Sequence, residues 1–142
     1  MQRSGIKELR NECLAIEREG SQLWMCGVDD WLFRAADLEA VNQALPAESC
    51  AILLAHEPDF ADIVAPGGSF DLMLSGHSHG GQIALPWLGP ITLPPGGRKY
   101  PCGWYKVGDM ALYTNRGLGV TELPVRIGAR PELTVFTLRY PW

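Results

Sequence analysis

Histidine is scarce in this 142-residue chain: it occurs three times and is absent from the first 55 positions. Cysteine is limited to Cys13, Cys26, Cys50 and Cys102, too far apart for any Cys-x-x-Cys pair. Neither a zinc ribbon nor a thioredoxin-like motif is therefore indicated. Four cysteines can pair, but three of these lie in apolar runs, and they are expected to be small buried residues in a reducing compartment. No stretch reaches the roughly 18 apolar residues of a membrane span. The N-terminus, Met1-Gln2-Arg3-Ser4-Gly5-Ile6-Lys7, has no apolar core for a signal peptide, so the expected location is cytoplasmic. Positive charge is also short. Twelve Lys and Arg against sixteen Asp and Glu leave a net charge of −4, which excludes a general nucleic-acid binder, because such binding relies on clustered cations.

The remaining composition is that of a globular protein, 46% hydrophobic and 20% charged, with length for a single domain. Cys13-Leu14-Ala15-Ile16-Glu17 and Leu23-Trp24-Met25-Cys26-Gly27-Val28 flank Glu19-Gly20-Ser21-Gln22 and predict a hairpin. Apolar residues at 35, 38, 41 and 45 recur at helical spacing until Pro46 stops them. A strand to Ala55, a short helix from about Asp59 to Val64 and a further strand through Leu74 then make an α/β crossover. Pro86, Pro90, Pro94, Pro95, Gly89, Gly96 and Gly97 crowd the next segment, which reads as a loop. Its Leu85, Trp87, Leu88 and Ile91 are too apolar for a plain linker, and it is expected to pack as a lid over the site or to cover a partner. Beyond it, residues 103–107, 110–114 and 133–138 read as strands of a second, mostly antiparallel sheet.

Two of the apolar runs end in histidine. Ala51-Ile52-Leu53-Leu54-Ala55 leads into His56, and Leu72-Met73-Leu74 leads into Gly76-His77-Ser78-His79-Gly80-Gly81. Ligand-binding groups gather at the carboxyl ends of strands in α/β sheets, where loops diverge from a fixed origin. Residues i and i+2 of an extended segment point to one side about 6.5–7 Å apart, so both imidazoles of the pair can serve one ion or two neighbouring ions. The glycines permit the abrupt turn that such a loop needs. His56, His77 and His79 are thus candidate metal ligands.

These motifs resemble the calcineurin-like metallophosphoesterases, whose last two metal motifs are a lone His after a strand and Gly-His-x-His after the next. Tyr113-Thr114-Asn115-Arg116-Gly117-Leu118-Gly119 and Pro124-Val125-Arg126-Ile127-Gly128-Ala129-Arg130-Pro131-Glu132 are similar to the bacterial phosphodiesterase branch of that family. The resemblance implies an α/β (α+β) fold, part of a four-layer αββα sandwich whose mixed sheet has antiparallel C-terminal strands. It implies two divalent metal ions (manganese, iron or zinc), with His56 and His77 serving one and His79 the other, and hydrolysis of phosphomonoesters or phosphodiesters. The substrate would be a phosphoester small molecule or a lipid headgroup. The family's earlier motifs, Asp-x-His, Gly-Asp and Gly-Asn-His-Asp/Glu, are absent, and Gly27-Val28-Asp29-Asp30 and Gly108-Asp109 do not replace them. Leu9-Arg10-Asn11-Glu12 is similar to a segment that follows those motifs in relatives. The chain is therefore expected to be the C-terminal portion of one metallophosphoesterase-like domain, with a partial site, weak metal binding and no appreciable turnover alone. Self-association or a missing N-terminal half would cover its open surfaces. Two competing readings are an inactive remnant or half of a split enzyme, and a mononuclear three-histidine zinc site.

Other residues divide between chemistry and structure. Asn115 and Arg116 are candidate substrate contacts, since a guanidinium matches phosphate oxygens in fork geometry. Asp29 and Asp30 read rather as turn formers or caps. Arg98-Lys99-Tyr100, in the Pro/Gly loop, is a further candidate substrate contact, but Arg98 and Lys99 read rather as a solvated charge pair. Trp24, Trp31, Trp87, Trp104 and Trp142 read as core or loop anchors, because no basic residues interleave with them.

Overall fold

A computed structural model describes residues 5–121 and 123–139; Trp142 lies outside the described residues. Strands β1 (Glu12–Arg18) and β2 (Ser21–Gly27) form the expected hairpin, with Glu19 and Gly20 at φ 52° and 80° in its two-residue turn. Helix α1 (Leu38–Ala44) starts where the Asp37 carboxylate accepts from the Ala40 N–H at 2.9 Å, a side-chain N-cap. Strand β3 (Ala51–Leu54) follows. A tight turn over Pro58–Phe60 then opens α2 (Ala61–Val64), and Gly68, at φ 65°, ends the helical stretch ahead of β4 (Leu72–Ser75). The loop between the histidines and the last strands contains a small hairpin, β5 (Ala84–Leu85) with β6 (Gly89–Pro90). Strands β7 (Gly103–Val107) and β8 (Met110–Thr114) complete the order.

The main sheet has six strands in the order β1-β2-β3-β4-β8-β7. β2, β3, β4 and β8 run parallel, and β1 and β7 are antiparallel edges, so the fold is α/β with a mixed sheet and an antiparallel C-terminal pair. The expectation of a second sheet for residues 103–138 is corrected in two respects. β8 pairs with β4 inside the main sheet, and residues 133–138 form no strand ladder. Side chains hold that segment instead: Phe136 packs edge-on against Tyr113 at 5.2 Å and against Trp104 at 5.8 Å between ring centroids.

One register row explains the core. Cys13, Cys26, Leu53, Met73, Leu112 and Tyr105 are successive partners across all six strands and point to the face that carries α1 and α2. Leu53, Met73 and Leu112 are completely buried there with Val41 of α1 and Val64 of α2. The same row corrects the cysteine expectation. Cys13 and Cys26, directly opposed with Cα atoms 4.0 Å apart, form a disulfide, while Cys50 and Cys102 are free and exposed. Trp31 anchors the core side by packing on Phe60 at 5.6 Å, but Trp87 anchors nothing and is fully exposed. No helix among the described residues is long and apolar enough to cross a membrane.

Candidate metal centre

The carboxyl ends of β3 and β4 lie side by side because the strands pair in parallel register, Leu54 opposite Leu74. The two chains of the loop stay locked one residue further, where Gly76 N–H donates to the His56 carbonyl at 3.1 Å. His56 and His77 therefore meet: His56 Nε2 and His77 Nδ1 are 3.1 Å apart, and the rings stand edge-on at 4.8 Å between centroids. His77 holds φ 65°, a left-handed conformation uncommon for a residue with a Cβ and typical of functional turns.

Bonding fixes the His77 tautomer. Its Nε2 lies 2.8 Å from the Pro95 carbonyl, which can only accept, so Nε2 carries the proton and Nδ1 presents a lone pair toward His56. Metal-binding histidines are commonly oriented in this way, with the distal N–H on a carbonyl. The separation of the two nitrogens also matches the roughly 3.3 Å edge of a tetrahedron whose metal–nitrogen bonds are about 2.0–2.1 Å.

Glu57 completes the cluster. Its carboxylate and the two imidazoles bring ligand atoms that all lie within 4.8 Å of one another. Only 1% of Glu57 is exposed, yet its Oε1 has no hydrogen-bond partner, and its Oε2 accepts only from the Trp31 N–H at 3.3 Å. Gly96, at φ 80°, lets the Pro/Gly strap close over this side chain, since a Cβ there would stand 3.1 Å from Glu57 Cγ. A sealed, half-satisfied carboxylate beside two imidazoles is a donor set that fits a divalent cation.

His79 takes a different direction. Its Nδ1 accepts from the Arg126 guanidinium at 3.2 Å, so in the neutral ring the proton sits on Nε2. Burial first and the Arg126 charge second press its pKa below the ordinary histidine range. Arg126 itself is fixed by the carbonyls of Gly119, Arg116, His79 and Ala129. The three histidines open onto one cleft of about 690 Å³, which Gln82, Arg98 and the strap residues Leu93, Pro94 and Pro95 also line. The loop expected to act as a lid thus forms a wall of the site.

Over 121 residues, 85% of this chain and 42% of the relative's length, the sequence is 46% identical to the uncharacterised metallophosphoesterase YkuE of Bacillus subtilis. It is 32% identical to phosphodiesterase YaeI of Escherichia coli over 136 residues, covering 95% of this chain and 48% of that one. A transmembrane protein with metallophosphoesterase domain from Danio rerio is 31% identical over 147 residues, 95% of this chain and 33% of the relative. The chain belongs to the metallophosphoesterase family. No family model matches it, and no solved structure does. The chain spans about half the length of the first curated relatives it matches.

In this metallophosphoesterase chain, Asn115 and Arg116 point elsewhere than the cleft. Arg116 is engaged by Glu132, and Asn115 accepts from the Gly117 N–H at 2.6 Å while donating to Thr134 at 2.9 Å. Arg98 is exposed, as the reading of a solvated pair expects, and it also lines the cleft, where the alternative reading would have it meet substrate. Asp29 and Asp30 are turn formers as expected: Asp29 pairs with Arg10, and Asp30 accepts from the Phe33 N–H at 2.8 Å. Glu57 escaped sequence reading. Its one available signal was its place beside His56.

Proposed function

We propose that this chain supplies the histidine-bearing half of a metal-dependent phosphoesterase site. The observation that carries this is the His56–His77 pair, held with a lone pair on His77 Nδ1, beside a buried carboxylate with an unpartnered oxygen. His56, Glu57 and His77 would hold one divalent ion, manganese, iron or zinc. When bound, such an ion polarises a phosphoryl oxygen and lowers the pKa of a coordinated water. The chain's own residues orient the ester. Arg98 offers donors to phosphate oxygens along the cleft wall, and the Pro/Gly strap keeps water from the buried side of Glu57.

The two-ion arrangement of the resemblance assigns His79 to a second ion, and the carboxylate and asparagine ligands that complete it would come from the other half of a domain whose relatives are about twice as long. The turn of His79 toward Arg126 favours a second reading, a single-ion site of His56, Glu57 and His77. Stoichiometry separates them: one ion per chain against two. The substrate class is a phosphoester small molecule or lipid headgroup.

Calorimetric titration of the purified chain with manganese and with zinc tests the proposal. Weak binding is expected, lost in the His77→Ala, His79→Ala double variant and reversed by acidification below about pH 6, because imidazole must be neutral to ligate. Retention of metal by the double variant overturns it. With bis-p-nitrophenyl phosphate and manganese, the chain alone is expected to show no appreciable turnover.

A further inference from the structure

We infer that the phosphoester is an amphiphile met at an anionic lipid surface, with the β5–β6 hairpin inserting its tip among the lipids while the headgroup enters the histidine cleft. This rests on the phosphoesterase reading of the cleft and names its substrate class.

The hairpin is built for exposure. Trp87 at its tip is 105% exposed, Leu88 74% and Ile91 57%, and the fifteen residues from Ile83 to Gly97 contain no charged side chain. An unstructured apolar loop would fold back on the protein; this one is prevented from doing so. Ile91 N–H donates to the Ile83 carbonyl at 2.9 Å and Ala84 N–H to the Ile127 carbonyl at 2.7 Å, which fix the base of the hairpin. Gly81 lies so close beneath Pro90 that a Cβ would stand 2.4 Å from the proline ring. The tip is therefore held outward at the cost of solvating its apolar surface.

The segment around Thr121 and Leu123, which also line the cleft, repeats this character. Leu118, Val120, Leu123 and Val125 are all exposed, and the Gln82 amide, donating to the Thr121 and Leu123 carbonyls at 2.9 Å each, ties that segment to the hairpin's base. Beside these apolar segments lies a floor of opposite chemistry. His56, His77, His79 and Arg98 face the cleft, and Glu57, the carboxylate beside the histidines, is sealed beneath the strap. An anionic headgroup with an apolar tail matches both parts at once. A protein partner would be expected to find charged rim residues to pair with, and residues 83–97 offer none. Tryptophan and aliphatic side chains on a rigid projection, next to a cleft that presents the Arg98 guanidinium, are the composition that seats a protein in the headgroup boundary.

The test is co-sedimentation of the whole chain with vesicles of phosphatidylglycerol and phosphatidylcholine, against vesicles of phosphatidylcholine alone. The chain is expected to sediment with the anionic vesicles. The Trp87→Ser, Leu88→Ser double variant is expected to lose about tenfold or more of that partition while keeping the wild-type circular dichroism, melting temperature and metal titration. Arg98→Gln is expected to abolish the preference for phosphatidylglycerol. The inference is overturned if wild type does not sediment, if the double variant sediments equally, or if the preference survives Arg98→Gln. It is also overturned if the double variant merely dissolves a dimer seen on gel filtration without vesicle binding, because the tip then meets a second copy. The metal titration of the His77→Ala, His79→Ala variant reads the phosphoesterase proposal separately from all of these.

Discussion

A carboxylate withdrawn from water needs compensation, and Glu57 receives little of it from the protein. One oxygen is unpartnered and the other has a single long hydrogen bond. Burying an uncompensated charge costs several kcal/mol, whereas a neutral amide of the same shape costs less. Glu57→Gln is therefore expected to leave the metal-free chain as stable as wild type or to stabilise it by about 1 kcal/mol, and to weaken manganese or zinc binding by tenfold or more. Thermal melts with and without metal, run beside calorimetry, check both halves of the expectation. A metal-free variant that melts well below wild type would mean that the carboxylate braces the Trp31 turn and serves no ion.

Among the elements, the C-terminal segment shows how side chains replace a ladder. Residues 133–138 read as a strand from their β-branched and aromatic content, yet they are held by Phe136 on the Trp104 and Tyr113 rings and by a polar knot around Glu132. The Tyr113 hydroxyl donates to Glu132 at 2.5 Å and Arg116 Nε donates to it at 2.7 Å. Burial pushes the Glu132 carboxyl up, but the Tyr113 and Arg116 hydrogen bonds and the Arg116 charge outweigh it and hold the group below the usual carboxylate range. A depressed folded pKa stabilises the fold fully above the unfolded value, near 4.3, and the contribution is lost as pH falls through the folded pKa. Glu132→Gln is expected to cost about 2 kcal/mol at pH 7 and to flatten the decline in urea midpoint below about pH 4.3, measured against wild type across pH 2.5–7. A parallel decline in both proteins would place the acid sensitivity elsewhere.

The same contrast marks what the sequence shows at this scale. The hairpin of β1 and β2, the crossover from β3 through α2 to β4 and the strand-end positions of His56 and His77 were legible, because period-two runs, glycine turns and proline stops are local signals. The placement of β8 beside β4 was not, since strand order depends on packing between distant segments. Nor was the fate of Cys13 and Cys26, which are paired by cross-strand register and not by spacing. Among site residues, His79 was legible as a histidine but not as one bonded to Arg126, whose four carbonyl acceptors come from turns that meet only in the fold.

Across the whole molecule the sheet is unevenly clothed. Its core face lies under α1, α2 and the strap, and the other face leaves Leu14 38%, Ile16 45% and Leu54 36% exposed around Met25 and Leu74. These residues share one side because each sits an odd number of residues along its strand from the buried row of Cys13, Cys26, Leu53 and Met73. An apolar sheet face beside the β1 edge, whose backbone groups are unpaired on one side, favours association. A second sheet stacked on it would give the layered sandwich that the resemblance implies, and for this chain alone a second copy is the available cover. Sedimentation velocity is expected to show reversible, concentration-dependent association in the tens of micromolar, about the strength of a weak apolar interface. Leu14→Lys with Ile16→Lys is expected to shift the chain to monomer, since each places a charge on the exposed apolar face beside the sheet edge while projecting away from the core. The Trp87→Ser, Leu88→Ser variant, altered only at the hairpin tip, is expected to associate as wild type does. If instead the tip variant is monomeric and the lysine variant is not, the sheet face is stable in water by itself and the contact between copies runs through the rim of the cleft.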